Sequence, residues 1–120
     1  MTVSNIILSK IDYQVKDSPL PGIGLNADIA QRNAVDKPSG GKVLCVRTVS
    51  CRLFQKNKDG SQRDNIAISL VYWIWFDIRE ENVPSIDEIG RKAAESTYLL
   101  VWDEINYLLN KAGFPRIPLS

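Results

Sequence analysis

In the stretch ISLVYWIWFDI, Ile68 to Ile78, apolar residues fill both halves of a period-two pattern. Ile68, Leu70, Tyr72, Ile74, Phe76 and Ile78 fall on one face of a strand, and Val71, Trp73 and Trp75 fall on the other before Asp77. A strand with one wet face alternates apolar with polar, so the second set calls for a cover of its own. Three earlier segments also read as strands. Ile6 to Val15 sets Ile7, Ile11, Tyr13 and Val15 against Lys10, Asp12 and Gln14, and the prolines of DSPLPG (Asp17 to Gly22) end it. Ile23 to Gln31 sets Ile23, Leu25, Ala27 and Ile29 against Gly24, Asn26 and Asp28. After a polar link, Asp36 to Gly41, the segment Lys42 to Lys56 aligns Val43, Cys45, Val49, Cys51 and Leu53 on one face, broken only by Arg47. Asp59-Gly60 then predicts an antiparallel hairpin into the fourth strand, about Asn65 to Ile78.

From Ser85 the period becomes helical. Ser85 and Glu88 form a capping box after Pro84, and Ile86, Ile89, Ala93, Leu99, Trp102, Ile105, Leu108 and Leu109 recur at helix spacing up to Ala112. A bend is expected near Ser96-Thr97. Gly113 takes the C-cap place and Pro115 blocks continuation. The fold class is therefore α+β: a four-stranded, meander-like antiparallel sheet followed by one long helix packed on one face, in a single domain spanning residues 1–120.

One helix covers one face of such a sheet. The even-numbered face of the fourth strand is the more continuously apolar and is assigned to the core, which leaves Val71, Trp73 and Trp75 on the far side. Those three side chains hide on the order of 400 Å², worth at most about 10 kcal/mol. So much wet apolar surface marks a partner or ligand surface, unless residues 31–41 or the C-terminal tail fold over it. The helix repeats the excess: Tyr98, Leu99, Leu100, Val101 and Trp102 run consecutively, so its apolar surface exceeds one stripe. An oligomer is expected.

Composition narrows the chemistry. The 120 residues carry a net charge of +1 and no histidine, which removes Ser-His and Cys-His nucleophiles and His-ligated metals. SGGK (Ser39 to Lys42) lacks P-loop spacing. No enzyme, metal or cofactor is expected. Cys45 and Cys51, on one strand, stand roughly 20 Å apart, too far for a disulfide, and read as reduced core residues. No signal peptide or membrane-length apolar run is present, so a cytoplasmic protein without membrane insertion is expected.

Two segments carry a family resemblance. KIDYQVKDSPLP resembles the opening of SecB-type export chaperones, where an Asp-aliphatic-Ser-aromatic-Glu strand leads into a proline-rich crossover loop; Tyr13 matches the aromatic position, and Pro19 and Pro21 the loop prolines. LLVWDEINYLLNKAGFPRIPLS resembles that family's helix and its Gly-x-Phe-Pro-x-aliphatic-x-Leu ending, through Gly113-Phe114-Pro115 and the alternation of Ile117 with Leu119. The β-β-β-β-α order extends the likeness over nearly the whole chain. Departures are visible: LVWDE replaces the family's Phe-Pro-Tyr-Ala-Arg-Glu segment, and no second helix or tail follows before Ser120. The family's strong acidity, which meets the SecA motor, is also absent; Lys42, Arg47, Arg52, Lys56, Lys58 and Arg63 make the third strand and hairpin basic.

The resemblance implies an ATP-independent holdase for unfolded polypeptide, assembled as a dimer or a homotetrameric dimer of dimers. Its role would lie in protein export or transport, or with one dedicated client such as an antitoxin in a toxin-antitoxin system; SecA binding is doubtful on charge. Candidate client contacts are Pro19, Leu20, Pro21, Ile23, Leu25, Trp73 and Trp75, and candidate interface residues are Ile11, Tyr13, Val71, Tyr98, Val101 and Trp102. The alternative from another class is a small adaptor or inhibitor of one folded protein. A third reading, nucleic-acid binding through Arg52, Lys56, Lys58 and Arg63 with Phe54 as a stacking platform, is disfavoured by the near-neutral charge.

Overall fold

The structure, a computed structural model, describes residues 1–79 and 81–117. Four strands, β1 (Thr2–Val15), β2 (Asn26–Val35), β3 (Lys42–Lys56) and β4 (Gln62–Asp77), precede one helix, α1 (Ile86–Lys111). The sheet is antiparallel in the order β1-β4-β3-β2, which is the α+β arrangement that the hydrophobic pattern predicts. It is a meander only from β2 to β4. The connection from Lys16 to Leu25 carries the chain across the sheet, because Pro19 and Pro21 cannot continue a ladder and β1 finds its partner in β4.

The hairpin turns where expected. Gly60 has φ +87°, and Asp59 Oδ1 accepts from the Ser61 amide at 2.9 Å and from its hydroxyl at 2.6 Å. Asn65 is the extra residue of a bulge, since Leu53 pairs with Ile66 and Phe54 with Asp64. From there Val43, Cys45, Val49, Cys51 and Leu53 of β3 share a buried face with Ile66, Ile68, Leu70, Tyr72, Ile74 and Phe76 of β4. Both cysteines are free and buried.

On β1 the predicted faces need correction. Ser4 and Ser9 have no ladder partner and form two bulges; their hydroxyls donate to the Trp75 and Val71 carbonyls at 3.2 and 3.1 Å. Each extra residue reverses the alternation. Val3, Ile6 and Leu8 therefore join Ile11, Tyr13 and Val15 on the helix side, and Ile7 turns to the opposite face across from Trp73. The second strand is also shifted. It begins at Asn26 and not at Ile23, and it runs to Val35.

The helix starts at Ser85, whose hydroxyl accepts from the Glu88 amide at 3.1 Å. It ends in a Schellman arrangement: the Phe114 amide donates to the Leu109 carbonyl at 2.8 Å, the Gly113 amide donates to Asn110, and Gly113 takes φ +79°. It is unbroken at Ser96-Thr97, whose hydroxyls donate to the Lys92 and Ala93 carbonyls. Ile89, Ala93, Val101, Ile105, Leu108 and Leu109 close the core against β3 and β4. At 26 residues the helix is about 39 Å long, whereas the protein measures 58 Å along its long axis. One helix is also narrower than four strands at ~4.8 Å spacing. It covers the middle of its face and leaves both margins bare.

Candidate functional site

The open face of the sheet is built by register. Trp73 lies between Ile7 of β1 and Val46 of β3, and Trp75 between Asn5 and Leu44. Val71, the next residue on that face, sits between Lys10 and Thr48. Trp73 keeps 43% of its surface exposed and Ile7 42%, while Trp75, Val71, Leu44 and Val46 are partly buried among themselves. Among the described residues neither candidate lid reaches them: residues 31–35 are the end of β2. The 36–41 link is a tight turn tied to Leu44 and Lys42, and the C-terminal segment is held on the helix by paired bonds between Asn106 and Ile117, at 2.7 and 3.1 Å. Leu119 lies outside the described residues. Ile7, Leu44 and Val46 are members of this patch that the sequence reading did not place there.

Farther along the same face the chemistry turns polar. A trough of ≈ 710 Å³ crosses all four strands, floored by Ala30, Ser50, Ala67 and Ser69 and edged by Asp12 and Asp28. Arg52 holds Asp28 and Asp64, each at 2.7 Å, and lies 4.4 Å from the centre of the Phe54 ring. That geometry corrects the stacking-platform expectation. Phe54 is buried, and the cation nearest it is already neutralised.

On the helix side the margins left bare are apolar. Ile11, Tyr13 and Val15 are exposed along β1, as is Ile29 on β2. Tyr98, Leu99 and Leu100 point away from the core, as a helix apolar on more than one side requires. Of the interface candidates, two depart from this set: Val71 lies on the tryptophan face, partly buried, and Val101 is turned inward. It is buried in the chain's own core and has little area to give a neighbour, while Trp102 packs against that core partly exposed.

The crossover connection is a built structure. Gln55, fully buried, accepts from the Leu20 amide at 2.9 Å and donates to the Leu20 and Ile23 carbonyls at 3.1 and 3.0 Å. Asn65, equally buried, donates to Gln55 Oε1 and to the Asp17 and Ser18 carbonyls, and its own carbonyl accepts from Lys16 and Asp17. Pro21 and Leu20 are exposed, Pro19 and Ile23 partly buried, and Leu25 packs against the core. This clasp stands at the hairpin end. Trp73 and Trp75 pair ten residues away on β3, beside Val46 and Leu44, which is roughly 33 Å along a strand and on the opposite face. The two halves of the expected client site are therefore separate surfaces.

A groove runs between α1 and β2. Its wider part, ≈ 640 Å³, is walled by Ile29, Val49, Tyr98, Trp102 and Ile105, with Arg47 among the lining residues. No described residues form a cluster of three or more metal-ligating side chains, and no described helix is long and apolar enough to cross a membrane.

No family model matches the chain, and no curated protein matches it in sequence. Solved structures match it in shape. A SecB-like chaperone of Mycobacterium tuberculosis, in complex with a ChAD peptide from the HigA1 antitoxin, aligns with TM-score 0.74 and 23% identity over 99% of this chain and 88% of that one. A protein of unknown function from Streptococcus agalactiae aligns over 98% of this chain and 94% of that one, but its TM-score of 0.37 at 15% identity carries no argument. The first likeness establishes a SecB-like fold.

Proposed function

We propose that this protein is a SecB-like, ATP-independent chaperone that assembles into an oligomer and holds non-native polypeptide on apolar surface its own chain leaves open. The observation that carries the reading is the uncovered patch around Trp73, with bare apolar margins on the helix side. Magnitudes agree. A compact chain of this length has a radius of gyration near 13.6 Å by the usual scaling (about), against 17.3 Å here. Its accessible surface would be roughly 6,500 Å², against 7513 Å². The protomer is expanded in the way a subunit is, with area held for neighbours or guests.

Division of labour follows from the placement. Ile11, Tyr13, Tyr98 and Trp102 lie on the helix side and suit a contact between copies, whether in a dimer or a dimer of dimers. Trp73 and Trp75, with Ile7 beside them, and the exposed loop residues Leu20 and Pro21 suit extended guest segments. Backbone pairing at the free edges of β1 and β2 would supplement both. The antitoxin peptide on the mycobacterial fold neighbour favours a dedicated client over general export, and the near-neutral charge disfavours coupling to SecA. The reading is non-enzymatic and cytoplasmic.

Two measurements test it. Purified protein, without nucleotide, should slow the aggregation of several unrelated unfolded proteins or of one dedicated client. Light scattering should give at least twice the chain mass of 13.5 kDa. Capture of one folded partner with no effect on any unfolded protein would establish the adaptor alternative instead.

A further inference from the structure

We propose that the groove between α1 and β2 receives a polypeptide segment in which an aspartate or glutamate is flanked by apolar side chains, its carboxylate seated against Arg47. The proposal rests on the chaperone reading for the class of guest, and on this groove alone for the charge.

Arg47 stands on the covered face of β3, opposite Asn33 and Tyr72, and only 5% of it is exposed. Nη1 donates to Asn33 Oδ1 at 3.1 Å and Nη2 donates to Gln31 Oε1. Nε has no partner. Both acceptors are neutral amides, and no carboxylate among the described residues forms an ion pair with this guanidinium. Cys45, two residues along the same face, offers no compensation, because burial pushes its thiol further towards the protonated form. Burial also pulls the Arg47 pKa below its ordinary value, yet an arginine stays charged at neutral pH. A buried, hydrogen-bonded cation without a counter-charge among the described residues is the arrangement that a partner carboxylate completes.

The surroundings define the rest of the guest. The apolar lobe walled by Ile29, Trp102 and Ile105 is continuous with a second lobe of ≈ 450 Å³ through the shared residues Gln31, Arg47 and Ala94. The second lobe holds Arg32 and Arg91 against Asp87. Glu95, on the rim of the first, is spent on Arg91 at 3.2 Å. Cations therefore outnumber anions along the groove, and Arg47 is the buried one among them. Gly90 allows the close approach of helix to strand here, since a Cβ at that position would meet Asn33 Nδ2 at 3.0 Å. The helix thus holds the amide that orients the guanidinium. An apolar trough with one oriented cation at its floor accepts greasy side chains and discriminates among them by charge.

The probe is an end-blocked, fluorescein-labelled heptapeptide with one central glutamate among leucine, valine and phenylalanine, compared with the same peptide carrying glutamine. By anisotropy on the wild-type protein, the glutamate peptide should bind roughly tenfold tighter or more, as expected for a charge-assisted bond in a desolvated site. In Arg47→Gln that ratio should fall to about one, and Arg47→Lys should restore part of it. Equal affinities in the wild type overturn the proposal whether or not the variants fold. A preference that survives Arg47→Gln also overturns it. So does a solution mass that drops in Arg47→Gln without peptide, which would put a neighbouring copy's carboxylate in the groove. Suppressed aggregation with no charge preference sinks this inference alone; charge-selective peptide binding with no suppression sinks the chaperone reading alone.

Discussion

Trp73 and Ile74 are neighbours in β4 with opposite fates. Ile74 is fully buried between Cys45 and Ile6 under the helix, while Trp73, one residue earlier, keeps 43% of its surface exposed between Val46 and Ile7. Both sit in apolar rows three strands wide. What separates them is what the rest of the chain can lay on top, and one helix of 26 residues has only one side of the sheet to give. Burial in this fold is decided by the supply of cover and only secondarily by local hydrophobicity, so the open row is apolar surface that the described residues of the chain leave uncovered.

The strongest way to break that contrast is to truncate one residue on each face. Ile74→Ala should cost about 2–5 kcal/mol, because it leaves a cavity under the helix. Trp73→Ser should cost an isolated protomer less than about 1 kcal/mol, as exposed substitutions do. Urea midpoints at two protein concentrations separate the cases. If copies bury the open face, the Trp73 variant also loses stability, and its midpoint gains a dependence on concentration. Equal, concentration-independent losses for both variants would mean that the two faces do not differ.

Alkali sharpens the same comparison, because the groups it reaches sit on the covered face. Burial, aided by the Glu104 charge, pushes the Tyr72 phenol from 10.0 up to about 12, and burial pushes the Cys51 thiol from 9.0 to about 11. Each binds its proton more tightly folded than unfolded. Their stabilisation is therefore intact below the unfolded values and is lost as pH rises through the folded ones. Unfolding free energy should fall between about pH 9 and 12, by at most about 1.4 kcal/mol per pH unit per group. Tyr72→Phe and Cys51→Val should each flatten part of that slope in urea titrations from pH 8 to 11. A slope that both variants leave unchanged would place the responsible groups elsewhere.

Much of this organisation was legible in the chain. β3, the hairpin, β4 and both helix caps follow from alternation, Asp59-Gly60, Ser85 and Gly113 because those signals are local. The Asn65 bulge shows only once the register is known. Core positions are odd-numbered in β3 and even-numbered in β4, whereas the turn pairs Lys56 with Gln62, even with even; directly opposed residues share a face, so one residue has to bulge between turn and core. The face of Ile7 was not legible, because it depends on where two serines drop out of the β1 ladder. Nor was the start of β2. Ile23 alternates like a strand residue, yet its carbonyl is taken by the Gln55 side chain and not by a neighbouring strand. Arg47 showed only as a polar break in an apolar row, and nothing local says that its partners, Gln31 and Asn33, are neutral.

The clasp at the hairpin end tests where the cover stops. Gln55 and Asn65 secure the crossover connection through its backbone, so Gln55→Ala or Asn65→Ala strands buried donors and acceptors, at about 1–3 kcal/mol each. Hydrogen exchange should speed up at the Leu20 amide in the Gln55 variant, which loses the acceptor of that amide, before it does in β4. Since Leu25 packs against the core, a double variant should show coupling rather than additivity. Exchange that rises uniformly over the whole sheet would show the loop to be part of one cooperative unit and not a separately held cover.

The smallest expected effect concerns the residues that divide β1 between the faces. Ser4 and Ser9 are exposed, and each replaces a missing ladder bond with a hydroxyl donated to β4. Ser9→Ala should cost about 0.5–1 kcal/mol without moving a face, because the bulge is set by the apolar pattern on either side of it. Deleting Ser9 removes the bulge and leaves Leu8, Lys10 and Ile11 consecutive opposite Tyr72, Val71 and Leu70, so the ladder becomes regular while every β1 side chain keeps its face. Proton chemical shifts of the Trp73 indole and the Tyr13 ring report which side each occupies: neither the deletion nor Ser9→Ala should exchange the two environments. Movement of both in the alanine variant would show that the serine hydroxyl, and not the spacing of apolar residues, assigns β1 to its faces.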